Sequence, residues 1–519
     1  MSSPSAPPAP TSTTDADTRL PRTLRVLGVV ERVGNALPHP FWLFWILAGI
    51  LGIASAVMSA LGVSVISPAD DKKVVVENLL SGDGLAMAMS TAIDNFTSFG
   101  PMGTIVVVIM GVAVAEHTGF LSGLMRVSVS RVPSWLVVFA VAFAGTMSHV
   151  ASAAAYAILV PLGGVAFRAV GRSPILGIVV AYTSIASGYD ASPIPTPNDT
   201  IFAGITTAAA RIIDPDAYVS PLSNWFFNIA SSLLLAVVIT LVTNTLLAKR
   251  PDLEADEDAE VDEASLEISA RERRAMLWAI IALVVVAVLV AIAVVPASSP
   301  LRGEDGTLDD SPFLNGVAVL VGFAFALAGI VFGVLAGTVT SAADVPALMA
   351  RGVKQIAPVL VLFFSIAQFL AYFDWTHIGD VIAVESAQVL KTTGVPLPLV
   401  FLMVLALLSV VNVLVTSGSA MWSIAAPVLV PMLMLVDVPA ETTQALFRIA
   451  DSGSTAITPM SPYFVLALGF LQQYRKKAGI GTLAAFTLPL AVCMTLAWTV
   501  LFFAWWLLGI PLGPGAPVR

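Results

Sequence analysis

Charged residues are scarce in this chain: Asp, Glu, Lys and Arg together make up 11% of its 519 residues, whereas 57% are hydrophobic. Soluble domains carry roughly 25% charged residues because their surfaces face water. Apolar runs close to the roughly 20 residues that cross a bilayer as a helix recur along the whole length. The composition therefore excludes a soluble protein and predicts an all-α integral membrane protein without a separate soluble domain.

Cysteine and catalytic motifs are also missing. The one cysteine, Cys493, lies in an apolar run, which excludes disulfides within the chain and a thiolate metal cluster. The sequence contains no zinc motif and no nucleophile elbow. We therefore predict that the chain is not an enzyme and binds no metal or cofactor. An intramembrane enzyme with Asp190 and Asp199 as its catalytic pair remains the alternative from another class.

Most of the negative charge is concentrated in one segment. Nine acidic and no basic residues lie between Asp252 and Glu267, so the net charge of −9 arises largely there. Such a segment cannot bury enough apolar surface to fold, and we predict a solvated cytoplasmic linker over residues 248–274. Residues 1–30 lack the pattern of a secretory signal and are predicted to form a disordered cytoplasmic tail. The tail precedes a first membrane half at residues 31–247, and the linker separates this half from a second one at residues 275–519.

The apolar runs predict nine membrane crossings. Seven are uninterrupted, near residues 41–64, 101–117, 223–247, 275–297, 313–336, 356–373 and 481–508, and two are broken by polar, Gly and Pro residues, at 174–210 and 440–470. Residues 133–170 and 397–436 are too long for one straight helix and have a polar tip near the middle, so each is predicted to be a re-entrant helical hairpin. We call them hairpin 1 and hairpin 2.

The positions of Lys and Arg predict the orientation. Most of them fall on one side of the membrane if the N-terminus is cytoplasmic, as expected from the excess of basic residues on cytoplasmic loops. With this orientation hairpin 1 enters from the cytoplasm and hairpin 2 from outside. The two halves are therefore predicted to be inverted repeats, an architecture that holds substrate near the middle of the membrane.

Polar residues at the two tips and two breaks are the candidates for a binding site, because irregular backbone at membrane depth survives only against protein or a water-filled cavity. An arginine presents a planar fork of donors to a carboxylate, and an aspartate beside a cavity can bind a proton or a cation. The predicted substrate-binding residues are Ser148, Ser152, Asp190, Ser192, Asp199, Ser417, Gly418, Ser419, Trp422, Arg448, Asp451 and Ser452.

Structural roles are open for several of these residues. Arg448 and Asp451 are three residues apart, a spacing that permits an ion pair on one helix face. Asp190 or Asp199 could cap the half-helix that follows the first break. Trp422 could be ordinary packing. His149 lies at the tip of hairpin 1, where a role in proton relay is the alternative to a structural one.

Several segments resemble the AbgT family of p-aminobenzoyl-glutamate transporters. The matching segments are ERVGNALPHP at 31–40, IFAGIT at 201–206, AYFD at 371–374, RIADS at 448–452 and GPGAP at 513–517. The resemblance covers the chain from about Glu31 onward, except the acidic linker. The chain departs from the family pattern in having Asp190 where a serine is usual and Ala153 where an acidic residue is usual, so a carboxylate has moved from the hairpin to the break.

The resemblance implies a homodimer with nine transmembrane helices and two opposed hairpins per protomer. It implies uptake of p-aminobenzoyl-glutamate and export of sulfonamide antimetabolites driven by a proton gradient. The family's functional positions map onto Asp199, Trp422 and Arg448.

We therefore predict a secondary active transporter of p-aminobenzoyl-glutamate-like aromatic carboxylates in the cell (inner) membrane, coupled to a proton or sodium gradient. The predicted partners are the substrate, the lipid bilayer and a second copy of the chain, with no nucleic acid. In this hypothesis Arg448 holds a substrate carboxylate, Trp422 stacks on the ring, and Asp199 with Asp190 or Asp451 carries the coupling ion. The alternative is a proton-driven exporter of sulfonamide-type antimetabolites, because alternating access runs in either direction. Opposed hairpins indicate gates and disfavour a passive channel.

Overall fold

A computed structural model describes residues 38–66, 73–129, 132–250, 253–256, 268–296, 298–303, 306, 311–459 and 461–519. The predicted tail at 1–30 and residues 251–252 and 257–267 of the predicted linker at 248–274 lie outside the described residues. Two short strands, β1 (Ser64–Ile66) and β2 (Lys73–Val75), pair antiparallel, and nearly all other regular structure in the described part is α-helical. The prediction of an all-α architecture is confirmed.

The described residues form twenty α-helices. They are α1 Pro40–Ala60, α2 Gly82–Ser90, α3 Ala92–Thr97, α4 Gly100–His117, α5 Phe120–Val129, α6 Val137–Met147, α7 Ser152–Ala169, α8 Pro174–Ala186, α9 Pro197–Ala210, α10 Trp225–Thr245, α11 Ala270–Val294, α12 Pro312–Asn315, α13 Val317–Ala336, α14 Asp344–Trp375, α15 Ile378–Thr393, α16 Leu397–Leu414, α17 Gly418–Met434, α18 Ala440–Thr455, α19 Pro462–Tyr474 and α20 Ile480–Leu508. Short 3-10 helices occupy Ser148–Ala151 and Leu247–Lys249.

Seven helical stretches in the described part are long and apolar enough to cross a membrane: α1, α3 with α4, α10 with the 3-10 turn after it, α11, α13, α14 and α20. Each coincides with one of the seven uninterrupted spans predicted from the sequence. Helix α14 begins at Asp344, well before the predicted start of its span at residue 356. Its first turns carry Arg351 and Lys354, and a search for apolar runs cannot detect such a polar extension of a helix.

The two predicted hairpins and the two predicted breaks are regions where helices end. Helices α6 and α7 flank the 3-10 tip at Ser148–Ala151, and α16 and α17 flank residues 415–417. The first broken span divides into α8 and α9 on either side of residues 187–196, and the second into α18 and α19 on either side of 456–461. The count of nine crossings and the re-entrant course of the hairpins stay predictions.

The two halves repeat one packing arrangement. In the first half α6 and α7 both pack against α8, and in the second half α16 and α17 both pack against α18. Small residues bring the backbones together in the first half, since a Cβ on Gly163 would lie 2.5 Å from the carbonyl oxygen of Gly177. Each predicted hairpin therefore lies against the first part of the broken span that follows it.

Helices α4 and α13 approach each other through backbone contact, as small residues permit in membrane proteins. A Cβ on Gly111 of α4 would lie 1.8 Å from the carbonyl oxygen of Gly322 of α13. A clash with backbone is not relieved by a side-chain rotation, so the two helices would have to separate.

We expect Gly111→Ala to destabilise the protein by about 3 kcal/mol or more, the upper end of overpacking costs. Gly103→Ala on the same helix is the matched control, because a Cβ there meets no atom within 4 Å. Alanine also has the higher helix propensity, so the control is expected to melt at or above the wild-type temperature. Thermal unfolding of both variants in detergent measures the difference, and equal melting temperatures would contradict the backbone contact.

Candidate functional site

The first break meets the last two turns of α18, just before the second break, in the interior of the protein. The backbone N–H of Asp190 donates a hydrogen bond to Ser452 Oγ at 3.0 Å, and Arg448 Nη1 lies 2.7 Å from Asp199 Oδ1. We call the region formed by residues 187–199 of the first half and 448–455 of the second half the junction. Sequence analysis placed candidate residues at both breaks, and the structure brings the two sets together.

Arg448 and Asp199 form a buried ion pair across the junction. Their side chains are 1% and 5% exposed, and Arg448 Nε also donates to Asn224 Oδ1 at 3.0 Å. An ion pair between Arg448 and Asp451, which the spacing permitted, is not among those of the described residues. The two side chains have different neighbours: Arg448 faces α9 and Asn224, whereas Asp451 lies against Gly418 at the start of α17.

Asp199 also stabilises the start of α9. Thr196 is the N-cap of this helix, Pro197 occupies its first turn, and Asp199 Oδ2 accepts hydrogen bonds from Thr196 N–H at 2.6 Å and Thr196 Oγ1 at 2.7 Å. This reciprocal arrangement is a capping box, which satisfies amides that a helix start leaves unpaired. The capping alternative is thus confirmed for Asp199, whose other oxygen, Oδ1, pairs with Arg448. It is wrong for Asp190, which is not part of the capping box.

Uncharged polar residues extend the ion pair into a network that the sequence analysis missed. Gln444 Nε2 lies 2.9 Å from Asn224 Oδ1, and Gln444 Oε1 lies 2.6 Å from Thr206 Oγ1. Thr206 Oγ1 in turn accepts a hydrogen bond from Trp422 Nε1 at 2.9 Å. The network joins α9, α17, α18 and the residue before α10. The available signal was amide and hydroxyl side chains inside predicted spans, which must find partners there.

Trp422 lies near the start of α17, close to the tip of hairpin 2, and is fully buried. Its ring stacks on Phe447 with centroids 4.5 Å apart, and Phe447 packs edge-to-face against Phe202 at 5.1 Å. The packing alternative for Trp422 is therefore correct for this conformation. Only the face opposite Phe447 remains for a substrate ring, so the predicted stacking role requires an opened site and stays a prediction.

Asp190 and Asp451 form a second charged cluster beside the ion pair. Both are almost completely buried, at 2% and 3% exposed, and their carboxyl groups interact with each other. Neither carboxylate oxygen of Asp190 accepts a hydrogen bond from the described residues. Asp451 Oδ2 lies so close to Gly418 that a Cβ there would be 2.5 Å away. The junction thus places two carboxyl groups together where no arginine pairs with either.

Serines at the tips and breaks mostly bond to nearby backbone. Ser148 Oγ donates to Gly145 O at 2.7 Å, Ser192 Oγ donates to Ile194 O at 2.7 Å, and Ser417 Oγ caps α17 by accepting from Ala420 N–H at 3.5 Å. The hydroxyl oxygens of Ser419 and Ser417 are 3.4 Å apart. The predicted Ser152 is the first residue of α7, and its side chain lies outside what the structure describes.

His149 is buried at the tip of hairpin 1, 4% exposed, and packs edge-to-face on Tyr189 of the first break with ring centroids 4.8 Å apart. Neither ring nitrogen has a hydrogen-bond partner among the described residues. Thus each tip contacts the break of its own half: His149 meets Tyr189, and Gly418 meets Asp451. The relay role predicted for His149 stays a prediction.

A cavity of about 720 Å³ lies between α9 and the α14–α15 turn, on the side of the molecule predicted to be external. Its lining includes Gly204, Thr207 and Arg211 of the α9 region and the ion-paired His377 and Asp380. The candidate residues of the junction do not line it, and they are nearly inaccessible to solvent. The junction is therefore closed in this conformation, and an open cavity lies on the other part of α9.

Comparisons with known proteins agree with the resemblance noted in the sequence. The profile described as the AbgT putative transporter family matches residues 25–519. The chain is similar to the p-aminobenzoyl-glutamate transport protein of Escherichia coli (strain K12), with 35% identity over 492 residues that cover 95% of this chain and 96% of the relative.

Two solved structures share the fold. The structure of the Alcanivorax borkumensis YdaH transporter has a TM-score of 0.85 and 38% sequence identity. The match covers 92% of this chain and 100% of the YdaH chain. The structure of Neisseria gonorrhoeae MtrF, reported in a study of a class of antimetabolite efflux pumps, has a TM-score of 0.90 with 38% identity and covers 95% of this chain and 100% of its own. These relatives are transporters and not enzymes. From the match over nearly its full length and the apolar helices described above, the chain is a multi-pass membrane transporter of the AbgT family.

Proposed function

We propose that this protein is a secondary active transporter of p-aminobenzoyl-glutamate-like aromatic carboxylates, coupled to a proton or sodium gradient. The observation that carries the proposal is the buried pair of Arg448 and Asp199 across the junction. A buried guanidinium is costly unless paired, and its planar fork of donors matches a carboxylate. Such a group, held where two broken helices meet, is suited to exchange an internal carboxylate for one on a substrate.

In the proposed binding step a substrate carboxylate replaces Asp199 on Arg448. Asp199 keeps its bonds to Thr196, so the start of α9 stays capped while the ion pair changes partner. Once the site has opened, the aromatic ring stacks on the face of Trp422 opposite Phe447, and the orientation of Trp422 is fixed by Thr206 and Phe447. Arg448 stays paired with a carboxylate throughout the exchange, and Asp199 keeps the two donors of Thr196.

The proposed architecture has nine transmembrane helices, with hairpin 1 entering from the cytoplasm and hairpin 2 from outside, in a homodimer in the inner membrane with a cytoplasmic N-terminus. Alternating movement of the hairpins would open the closed junction to one side at a time. This course is supported by the contact of each tip with its own break, at His149 and at Gly418.

The test of the proposed function is uptake of labelled p-aminobenzoyl-glutamate into proteoliposomes that contain the purified protein. We expect accumulation above the external concentration when an ion gradient is imposed, and no accumulation in protein-free liposomes. Unlabelled p-aminobenzoyl-glutamate should compete, whereas aniline, which has the ring and amine without a carboxylate, should not. Equilibration without accumulation would support a passive channel, and absence of both binding and uptake would refute the proposal.

The inverted course of the hairpins gives a labelling prediction. In a Cys493→Ala background, which removes the native cysteine, Met147→Cys marks the tip of hairpin 1 and Thr416→Cys that of hairpin 2. We expect a membrane-impermeant thiol reagent to label Met147→Cys from the cytoplasmic face and Thr416→Cys from the outer face. Labelling of both tips from the same face alone would contradict the inverted arrangement.

Outward transport of sulfonamide-type antimetabolites is the second candidate function. It is supported by the similarity to Neisseria gonorrhoeae MtrF, which belongs to a class of antimetabolite efflux pumps. Sulfonamides share the aminobenzene ring with p-aminobenzoyl-glutamate, and their sulfonyl oxygens can accept hydrogen bonds from Arg448 in place of a carboxylate. Export predicts lower sulfonamide accumulation in cells that contain the protein than in cells that contain Arg448→Ala. Equal accumulation would remove this candidate.

A further inference from the structure

The junction has an excess of negative charge that the ion pair does not remove. It contains three carboxyl groups, Asp190, Asp199 and Asp451, and its one guanidinium, Arg448, is 2.7 Å from Asp199. Asp199 is also hydrogen-bonded twice to Thr196, so it is stabilised as a carboxylate. Asp190 and Asp451 remain. Two adjacent buried carboxyl groups repel each other when both are ionised, so they either share a proton, which leaves one negative charge, or bind a cation.

The surroundings favour a proton on Asp190. Its two oxygens have no donor among the described residues, whereas its neutral form can donate to a carboxylate. Asp451 is differently placed, because its Oδ2 lies against Gly418, the first residue of the seventeen-residue helix α17. The positive end of that helix favours a charge on Asp451. Asp190 O–H donating to the Asp451 carboxylate therefore satisfies both groups.

Asn412 directs its amide nitrogen toward the backbone of Asp451, and its Oδ1 accepts no hydrogen bond from the described residues. Its Nδ2 donates to Asp451 O and, at 2.8 Å, to Ser454 Oγ. A cation such as sodium is held by several oxygen ligands, whereas two carboxyl groups that interact directly can hold a proton without further ligands. The arrangement thus favours a proton over a metal cation.

We propose that Asp190 and Asp451 share one proton and that this pair is the coupling site of the transporter. The inference rests on the proposed transport function and names its coupling ion and the residues that carry it. When the tip of hairpin 2 moves, Gly418 leaves Asp451, the carboxylate loses the helix end that stabilises it, and the pair exchanges its proton with the side to which the junction opens. The proton leaves as H⁺ to water, and both carboxyl groups are regenerated unchanged.

Other titratable groups surround the pair. Besides Asp199 and Arg448, the phenol groups of Tyr156 and Tyr189 interact electrostatically with one or both carboxyl groups, and Tyr463 stacks on Tyr156. Tyrosine ordinarily titrates near pH 10, so the phenols stay neutral in the assay range. His149, which packs on Tyr189, is the remaining titratable neighbour, and it does not contact either carboxyl group among the contacts of the described residues. The carboxyl pair is the group proposed to change its protonation during transport.

The test compares gradient-driven accumulation with counterflow in sodium-free proteoliposomes. With the membrane potential clamped at zero by potassium and valinomycin, a pH gradient of about one unit should give the wild type about tenfold accumulation of p-aminobenzoyl-glutamate, since one unit is a factor of ten in proton activity and one proton moves per substrate. Gradients of both signs are applied, because symport and antiport accumulate substrate under opposite gradients. Counterflow requires binding and alternating access but no net proton movement.

We expect Asp190→Asn and Asp451→Asn to lose accumulation under either gradient while counterflow remains measurable. Asp216→Asn, which changes an exposed aspartate after α9, is the control and should accumulate like the wild type. Wild-type accumulation that requires a sodium gradient, or undiminished accumulation by Asp190→Asn, would overturn the assignment of the pair. Absence of binding and counterflow in the wild type would instead refute the proposed substrate class.

A second measurement needs no variant and so does not depend on their folding. Binding of p-aminobenzoyl-glutamate to the wild type in weakly buffered detergent solution should change the pH, read with an indicator dye, by up to one proton per bound substrate. Binding without proton exchange at every pH from about 5 to 8 would overturn the coupling role of the pair.

Discussion

Replacing Arg448 by alanine is expected to reduce p-aminobenzoyl-glutamate uptake to the level of protein-free liposomes. The substitution removes the group proposed to hold the substrate carboxylate. It also leaves Asp199 buried without its guanidinium, since the two side chains are 1% and 5% exposed. Breaking a buried pair by removing one partner costs about 3–5 kcal/mol, so a lower melting temperature in detergent is expected as well.

The double variant Arg448→Ala with Asp199→Asn separates binding from folding. An asparagine at position 199 is uncharged, so no unpaired charge is buried when Arg448 is removed. Its side-chain oxygen can still accept a hydrogen bond from Thr196. We therefore expect the double variant to recover much of the lost stability and none of the uptake. Uptake near the wild-type rate in a folded double variant would show that Arg448 and Asp199 are structural and that the substrate binds elsewhere.

Removing the ring of Trp422 is expected to have the second largest effect. Trp422 is fully buried and stacked on Phe447, and replacing a buried aromatic residue with alanine typically costs about 3–5 kcal/mol. Loss of stacking on the substrate ring, worth up to about 1.5 kcal/mol, should also raise the half-saturation concentration for uptake about tenfold.

Trp422→Phe distinguishes the ring from its N–H group. Phenylalanine keeps an aromatic face on Phe447 but removes the hydrogen bond to Thr206, worth about 0.5–1.5 kcal/mol. We expect this variant to fold with a modest loss of stability and to retain most of its affinity. Trp42→Ala, which alters a side chain 61% exposed on α1, should match the wild type in uptake. Equal half-saturation concentrations for Trp422→Ala and the wild type would exclude a contact between the ring and the substrate.

The helices were predictable because a helix in lipid must satisfy its own backbone hydrogen bonds. Long apolar runs such as the one in α13 therefore predict helices without further information. The same rule predicted the breaks, since polar, Gly and Pro residues at 187–199 cannot continue an apolar helix. The amphipathic α15 at Ile378–Thr393, in contrast, was not predicted, because its apolar residues do not form a continuous run.

Partner choice in the junction was not predictable from spacing. Arg448 and Asp451 stand at an interval that favours an ion pair on an isolated helix, yet Arg448 pairs with Asp199 from the other half of the chain. Asn224, Gln444 and Thr206 were missed for a related reason: nothing in the local sequence says which buried amide or hydroxyl faces which charge. Such contacts depend on how the halves pack.

The sequence by itself determined that this protein is helical and lies in a membrane, and it located the four polar interruptions where its candidate site residues are found. These properties follow from the free energy of each residue in lipid or water, which depends on composition and local order. Only the tertiary structure decided that Asp199 neutralises Arg448, that Thr206 holds Trp422, and that Asp190 and Asp451 are left together. Electrostatic and hydrogen-bond energies act over a few ångströms in space, and distance along the chain does not fix distance in space.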